Sequence, residues 1–284
     1  MKWQGRRQSS NIEDRRGSRG GSVGAIGGVG ALVVVLIGAF FGVDLTPLLD
    51  GSAQAPSGQT TAPAELTPAE RQAGEFVAVT LADTEEVWSQ IFRDQLQQTY
   101  RPTTLVLFSG ATQSACGGAS AQTGPFYCPG DKKVYLDTAF FATMEQQLGA
   151  GGDFAAAYVV AHEVGHHVQD ELGILGEANR VRQQSSEARS NEISVMIELQ
   201  ADCFSGVWAR NAANQFGSIE RGDVEEAMNA ASRIGDDTLQ REAGQRVRPE
   251  TFTHGTSEQR QRWFWAGYNT GDIGNCNTFE ARTL

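Results

Sequence analysis

Three residues in one short run, His162, Glu163 and His166, carry the clearest chemistry in the sequence. On a helix, positions i and i+4 stack on one face, so both imidazoles can reach a single metal ion. Glu163 then sits beside them, placed to act on a metal-bound water. Two histidines and an adjacent carboxylate base are what zinc-dependent hydrolysis of a peptide bond needs. With only 4 histidines in 284 residues, a chance match to this spacing is rare. A helix is expected through the run, because Asp153 offers a cap and the alanines after Phe154 favour helix.

Zinc in a hydrolase takes three protein ligands and keeps a fourth position for water. His167 follows His166 directly and points away from the ligand face. The better candidate lies downstream, where Glu198 and Asp202 form a second i, i+4 pair among Val195, Leu199 and Phe204. Carboxylates set into an otherwise apolar face are costly to bury unless they are paired or bind metal. Glu198 is therefore expected as the third ligand, with Asp202 accepting a hydrogen bond from the second ring nitrogen of a ligating histidine. Glu192, on a more polar stretch beside Ser190, Asn191 and Ser194, is the competing ligand. The plainer alternative for Glu198 and Asp202 is an ordinary solvated helix face.

His254 lies in the loop Thr251–Ser257, between two expected helices. There it could hydrogen-bond the oxyanion of a tetrahedral intermediate, cap the final helix, or bind Asp202. Arg260 and Tyr268 compete with it for the oxyanion. Trp263, Phe264 and Trp265 read as core rather than as a binding platform.

The run His162-Glu-Val-Gly-His166, followed by Glu198-Leu-Gln-Ala-Asp202-Cys-Phe-Ser-Gly206, resembles the gluzincin class of metallopeptidases. The third ligand of that class is a Glu in a Glu-x-x-x-Asp element. More closely, the chain is similar to a bacterial membrane-anchored family of neutral zinc metallopeptidases. Lys2–Gly17, Gly124–Asp131, Val134–Asp137 and Thr253–Ser257 carry that likeness, which spans nearly the whole chain apart from the linker after residue 43. The resemblance implies a zinc peptidase with His162, His166 and Glu198 on the metal, and the chain does not depart from the pattern at these positions.

The elements that must position these residues begin with a charge contrast. Residues 1–22 hold Lys2, Arg6, Arg7, Arg15, Arg16 and Arg19 against Glu13 and Asp14, a net of +4 in a chain of net charge −11. Val23 to Val43 carries no charge and is long enough for one membrane span, at about 20 helical residues per crossing. Basic flanks stay cytoplasmic, so 1–22 is expected as a cytoplasmic tail, 23–43 as an uncleaved anchor of a bacterial cell membrane, and the rest as extracytoplasmic. A cleaved signal peptide and a buried core helix are the competing readings of 23–43. Gly20, Gly24 and Gly28, like Gly38 and Gly42, have the small-residue spacing that could pair such spans. Residues 44–66, rich in Pro, Ser, Gln, Thr and Ala, read as a tether. Residues 67–284 then form one domain with a sizeable core.

Within that domain Thr67-Pro-Ala-Glu70 is a capped helix start with Pro at the first position. Helices are expected through Val77, through Trp88 to Leu96, and over 138–148, 153–170, 187–213, 220–234 and 256–268. Strands are expected at Leu105–Phe108 and Lys133–Leu136, the second as a sheet edge that could hold a substrate strand. This gives a helix-dominated α+β fold with a small sheet, of the gluzincin-like kind that the resemblance implies. The even cysteine count in a domain expected outside the cytoplasm reads as disulfides, with Cys116–Cys128 and Cys203–Cys276 favoured over the other pairings and over four reduced thiols.

The acidic composition argues against a nucleic-acid partner. A membrane-anchored zinc endopeptidase acting on peptides or proteins is the reading these residues favour. Its rivals are a scaffold that keeps zinc for folding or docking, and a metal amidase acting on cell-wall material. An intact Glu163 argues against the scaffold, since a structural site has no need of a base.

Overall fold

The computed structural model describes residues 1–17, 65–120, 123–220 and 222–284. Strand β1 (Ile12–Asp14) precedes the long helix α1 (Pro68–Asp94), which starts with the expected capping box of Thr67 and Glu70. Strands β2 (Thr104–Phe108), β3 (Ala111–Ser114), β4 (Gly117–Ser120), β5 (Phe126–Cys128) and β6 (Lys133–Asp137) follow. The rest is helical: α2 (Ala139–Leu148), α3 (Asp153–Glu171), α4 (Ile174–Gln183), α5 (Glu187–Phe216), α6 (Asp223–Arg233), α7 (Asp236–Glu242) and α8 (Ser257–Thr270), with short 3-10 turns at Pro249–Thr251 and Ile273–Cys276. The helix-dominated α+β architecture with a small sheet is as the sequence implies.

The sheet runs β1-β2-β6-β5, with β1, β2 and β6 parallel and β5 antiparallel to β6. Side chains alternate between its faces. Leu105, Leu107, Val134 and Leu136 enter the main core under the helices, while Val106, Phe108 and Tyr135 pack with Ala119 and Cys128 on the other side. Paired with β2 on one side and β5 on the other, β6 is interior, not the edge expected from its alternation. The edges are β1 and β5.

Two helices at the centre are buried on nearly every side. In α3 the run from Phe154 to Gly165 is buried without a break, and in α5 the run from Leu199 to Ala209. A helix that small and apolar residues line all round belongs in the core. Glycines let these helices close: a methyl group at Gly165 would lie 3.1 Å from the Ala201 carbonyl, and one at Gly267 would lie 2.0 Å from the Cys203 carbonyl. The first contact brings α3 against α5, the second α8 against α5. Both expected disulfides are formed, Cys116–Cys128 and Cys203–Cys276, the latter tying α5 to the C-terminal 3-10 turn.

The N-terminal residues correct the expected topology. Ile12, Glu13 and Asp14 pair in parallel register with Leu105, Val106 and Leu107. Arg6 meets Asp83 at 2.7 Å, Arg7 meets Glu86 at 2.7 Å, and Ser9 and Asn11 both donate to Glu85. A chain crossing a bilayer once between residues 17 and 65 would put β1 and β2 on opposite sides, and they are neighbours in one sheet. The single-pass membrane address, with a cytoplasmic tail and an extracytoplasmic domain, is therefore withdrawn. No helix among the described residues is long and apolar enough to cross a membrane. The expected transmembrane helix at 23–43, its glycine pairing and the tether up to residue 64 lie outside the described residues.

The same contacts explain why α1 is one helix where two were expected. The polar stretch Thr80, Asp83, Thr84 and Glu85 resembles a break, yet all four residues are buried. Thr80 and Thr84 bond back to the carbonyls of Phe76 and Leu81 at 3.0 and 2.7 Å, and the N-terminal arginines, Ser9 and Asn11 satisfy the acids.

Candidate metal centre

The close approach of α3 and α5 at Gly165 and Ala201 sets His162 and His166 opposite Glu198. Nε2 of His162 is 3.1 Å from Oε2 of Glu198, and Nε2 of His166 is 3.5 Å from Oε1. The three ligand atoms lie within 4.8 Å of one another. Ligands held at about 2.1 Å around a tetrahedral zinc stand about 3.4 Å apart, so the spacing and the donor types fit that ion. Glu192 is elsewhere on α5, paired with Arg189 at 2.9 Å in an exposed position.

Charge in the group is arranged around the two imidazoles. Burial opposes a proton on His162, but Asp202 and then Glu198 outweigh it and hold the ring's pKa up to about 10. Burial likewise works against ionisation of Glu198, and His166 and His162 overcome it, so its carboxyl falls well below the usual range. Imidazolium and carboxylate thus hold one another where a dication would hold all three.

Asp202 is fully buried and accepts from His162 Nδ1 at 2.9 Å, as the sequence suggests. It also accepts from the Tyr158 hydroxyl and from Arg260, whose Nε and Nη2 reach its two oxygens at 2.9 and 3.0 Å. Burial would raise the Asp202 carboxyl, but Arg260 and then His162 keep it below the ordinary range. Arg260 is thereby committed to Asp202 and is not free to serve an oxyanion. Tyr268 stacks with Phe264 and with Trp265, and Arg210 lies over its ring.

Glu163 is buried beside the ligands, and its carboxyl is raised, chiefly by burial, against the pull of His166 and His162. A base whose pKa is lifted toward neutrality can both take and return a proton. His254 stands on the loop before α8 with its ring half-exposed, and its Nδ1 is 3.2 Å from Asp236 Oδ1. Asp236 Oδ2 accepts the main-chain N–H groups of Thr253, His254 and Gly255 at 2.8, 2.7 and 3.0 Å. Partial burial opposes the charge on His254, while Asp236 and then Glu198 raise its pKa. It does not cap α8, a task that Thr256 and Gln259 perform, nor does it bond Asp202, whose partners are Tyr158, His162 and Arg260.

Sequence reasoning passed over Asp236, Tyr158, Gln169 and Gln200. Gln169 Oε1 faces His166 Nδ1 at 2.9 Å. Its position three residues after His166, on the same helical face, was the available signal. Gln200 lies between Glu198 and Asp202, and Asp236 approaches only through tertiary folding.

A family model described as "Putative neutral zinc metallopeptidase" matches residues 1–279. An uncharacterized protein of Escherichia coli K12, YpfJ, is 48% identical over 288 residues, covering 98% of this chain and 99% of the relative. An uncharacterized protein of Mycobacterium tuberculosis H37Rv, Rv2575, is 42% identical over 222 residues, 75% of this chain and 74% of the relative. No solved structure matches the chain.

Proposed function

The chain belongs to the family described as putative neutral zinc metallopeptidase, and from that membership and the geometry of the centre we propose that it is a zinc-dependent peptidase. The observation that carries the reading is the convergence of His162, His166 and Glu198 beside a buried carboxyl, Glu163, of raised pKa. Zinc held by the three ligands would supply the Lewis acidity that activates a water and polarises the scissile carbonyl. Glu163 takes the proton of the attacking water and passes it to the leaving amine. His254, steadied through Nδ1 by Asp236, offers its Nε2–H to the developing oxyanion. Asp202 keeps the proton of His162 on Nδ1, so that Nε2 faces the metal.

A peptide is the substrate class this arrangement favours. Strand β5 ends the sheet, runs antiparallel to β6 and packs on α3, the helix that carries His162 and His166. An extended peptide added along that edge would gain main-chain hydrogen bonds next to the centre.

The test is Glu163→Gln in the full chain. The variant should fold and hold zinc as the parent does, because Glu163 is not a ligand and Gln is nearly isosteric. Hydrolysis of a peptide library should fall at least ~10²-fold. Equal hydrolysis by parent and variant sinks the mechanism; a zinc-loaded parent that cleaves no peptide sinks the peptidase reading.

A further inference from the structure

Two buried glutamines link His166 to the C-terminal 3-10 turn, and their polarity is set from outside the metal centre. Main-chain carbonyls only accept hydrogen bonds. The Cys276 carbonyl therefore takes the amide nitrogen of Gln200 at 2.9 Å, which turns the Gln200 oxygen toward Gln169. The Gln169 nitrogen donates to that oxygen at 3.0 Å and to the Ile197 carbonyl at 2.8 Å. Two fixed acceptors thus agree on which end of the Gln169 amide is which. Its oxygen is left facing His166 Nδ1 at 2.9 Å, and an amide oxygen cannot donate. Nδ1 must then carry a proton, which leaves Nε2, 3.5 Å from Glu198 Oε1, as the nitrogen free to be deprotonated for a metal.

We propose that Gln169 and Gln200 are positioning residues that dictate the tautomer of His166, carrying the polarity of the Ile197 and Cys276 carbonyls to the ring. The proposal rests on His166 being a zinc ligand. His162 reaches the same tautomer by an unlike route, through the anionic Asp202 and its partner Arg260. A neutral relay suits His166 because Glu163, Glu198 and Asp202 already crowd the centre with carboxylates. A Glu at position 169 would also set a carboxylate against two acceptors, the Ile197 carbonyl and the Gln200 oxygen. The far end of the relay is secured covalently, since Cys276 is bonded to Cys203 on the helix that carries Glu198.

Zinc affinity of the full chain, measured by competition with a chromophoric chelator, tests the relay without recourse to activity. Gln169→Met should weaken zinc binding by ~10- to 100-fold, the range for loss of a partner behind a ligating histidine. Gln200→Met, which touches no ligand, should weaken it by a smaller factor. The double variant should bind no more weakly than Gln169→Met alone, because Gln200 acts only through Gln169. Additive losses, or parental affinity in a folded Gln169→Met protein, overturn the proposal. Should Gln169→Met fail to fold, Gln200→Met and the ¹⁵N spectrum of histidine-labelled parent decide. Zinc-loaded parent should show His166 protonated at Nδ1 and metal-bound at Nε2, and the reverse pattern overturns the relay. A parent that binds no zinc sinks the zinc reading itself; the relay is then judged on the metal-free neutral ring, where the proton should again be on Nδ1.

Discussion

Arg260 grips Asp202 with two N–H···O bonds, Nε to Oδ2 at 2.9 Å and Nη2 to Oδ1 at 3.0 Å, and Asp202 in turn holds His162 Nδ1. Both charges are buried, so the pair is costly to break from one side. Arg260→Ala leaves an uncompensated carboxylate in the core and should cost about 3–5 kcal/mol in urea unfolding. Arg260→Lys keeps the charge but not the paired geometry and should lose less. Both should weaken zinc binding. An alanine variant within about 1 kcal/mol of the parent would show that Asp202 is stabilised without Arg260.

His254→Ala should retain zinc and lower the hydrolytic rate by ~10²- to 10³-fold, as expected for loss of an oxyanion donor. Asp236 raises the pKa of His254, so the ring stays protonated to higher pH than a free imidazole. If the charged ring is the donor, activity falls as pH rises through that value, and Asp236→Asn should move the alkaline limb to lower pH. A pH–rate profile unaltered in Asp236→Asn counts against the pairing having a role in the reaction.

Zinc binding should expel a proton. His162 is held charged to about 10 by Asp202 and Glu198, against burial, while a free imidazole titrates near 6.5. In the metal-free protein this pairing stabilises the fold fully below about 6.5 and is lost as pH rises through about 10. A ligating imidazole must be neutral at the metal-facing nitrogen, so zinc affinity should climb with pH across that window. Calorimetric titration in two buffers of different ionisation heat counts the protons. Release of none at pH 8 would mean that the metal-free His162 is already neutral.

Residues 1–17 should be needed for stability. Deleting them removes β1 and leaves Asp83 and Glu85 without their partners Arg6 and Ser9. Arg6→Ala alone should cost up to about 3 kcal/mol, less than a fully buried pair because the arginine is partly exposed. The truncated protein should melt at a lower temperature, and a synthetic peptide of residues 1–17 should restore it in a concentration-dependent way. A truncated protein with the parental melting temperature would show the segment to be dispensable.

Features with a local signature were legible from the residues. The spacing of His162, Glu163 and His166, the capping box at Thr67 and the two disulfides needed no tertiary information. Glu198 and Asp202 drew notice because carboxylates in an apolar helix demand an explanation. Contacts between distant segments left no such trace. Arg6 and Arg7 look like a basic flank until they meet Asp83, Glu85 and Glu86, and the polar residues of α1 look like a break until Ser9 and Asn11 cover them. Lys133–Leu136 alternates as an edge would, but β5 and β2 lie on either side of it. Asp236 could not be tied to His254 because only the fold brings them together.

Pairing of β1 with β2 also bears on how the chain folds. Ile12 meets Leu105 and Asp14 meets Leu107, so this strand finds its place only against a segment far along the chain. Contacts between distant segments slow folding, because the entropy of bringing them together is lost before they form. The helices that carry His162, His166 and Glu198, whose partners are nearer in sequence, carry no such delay.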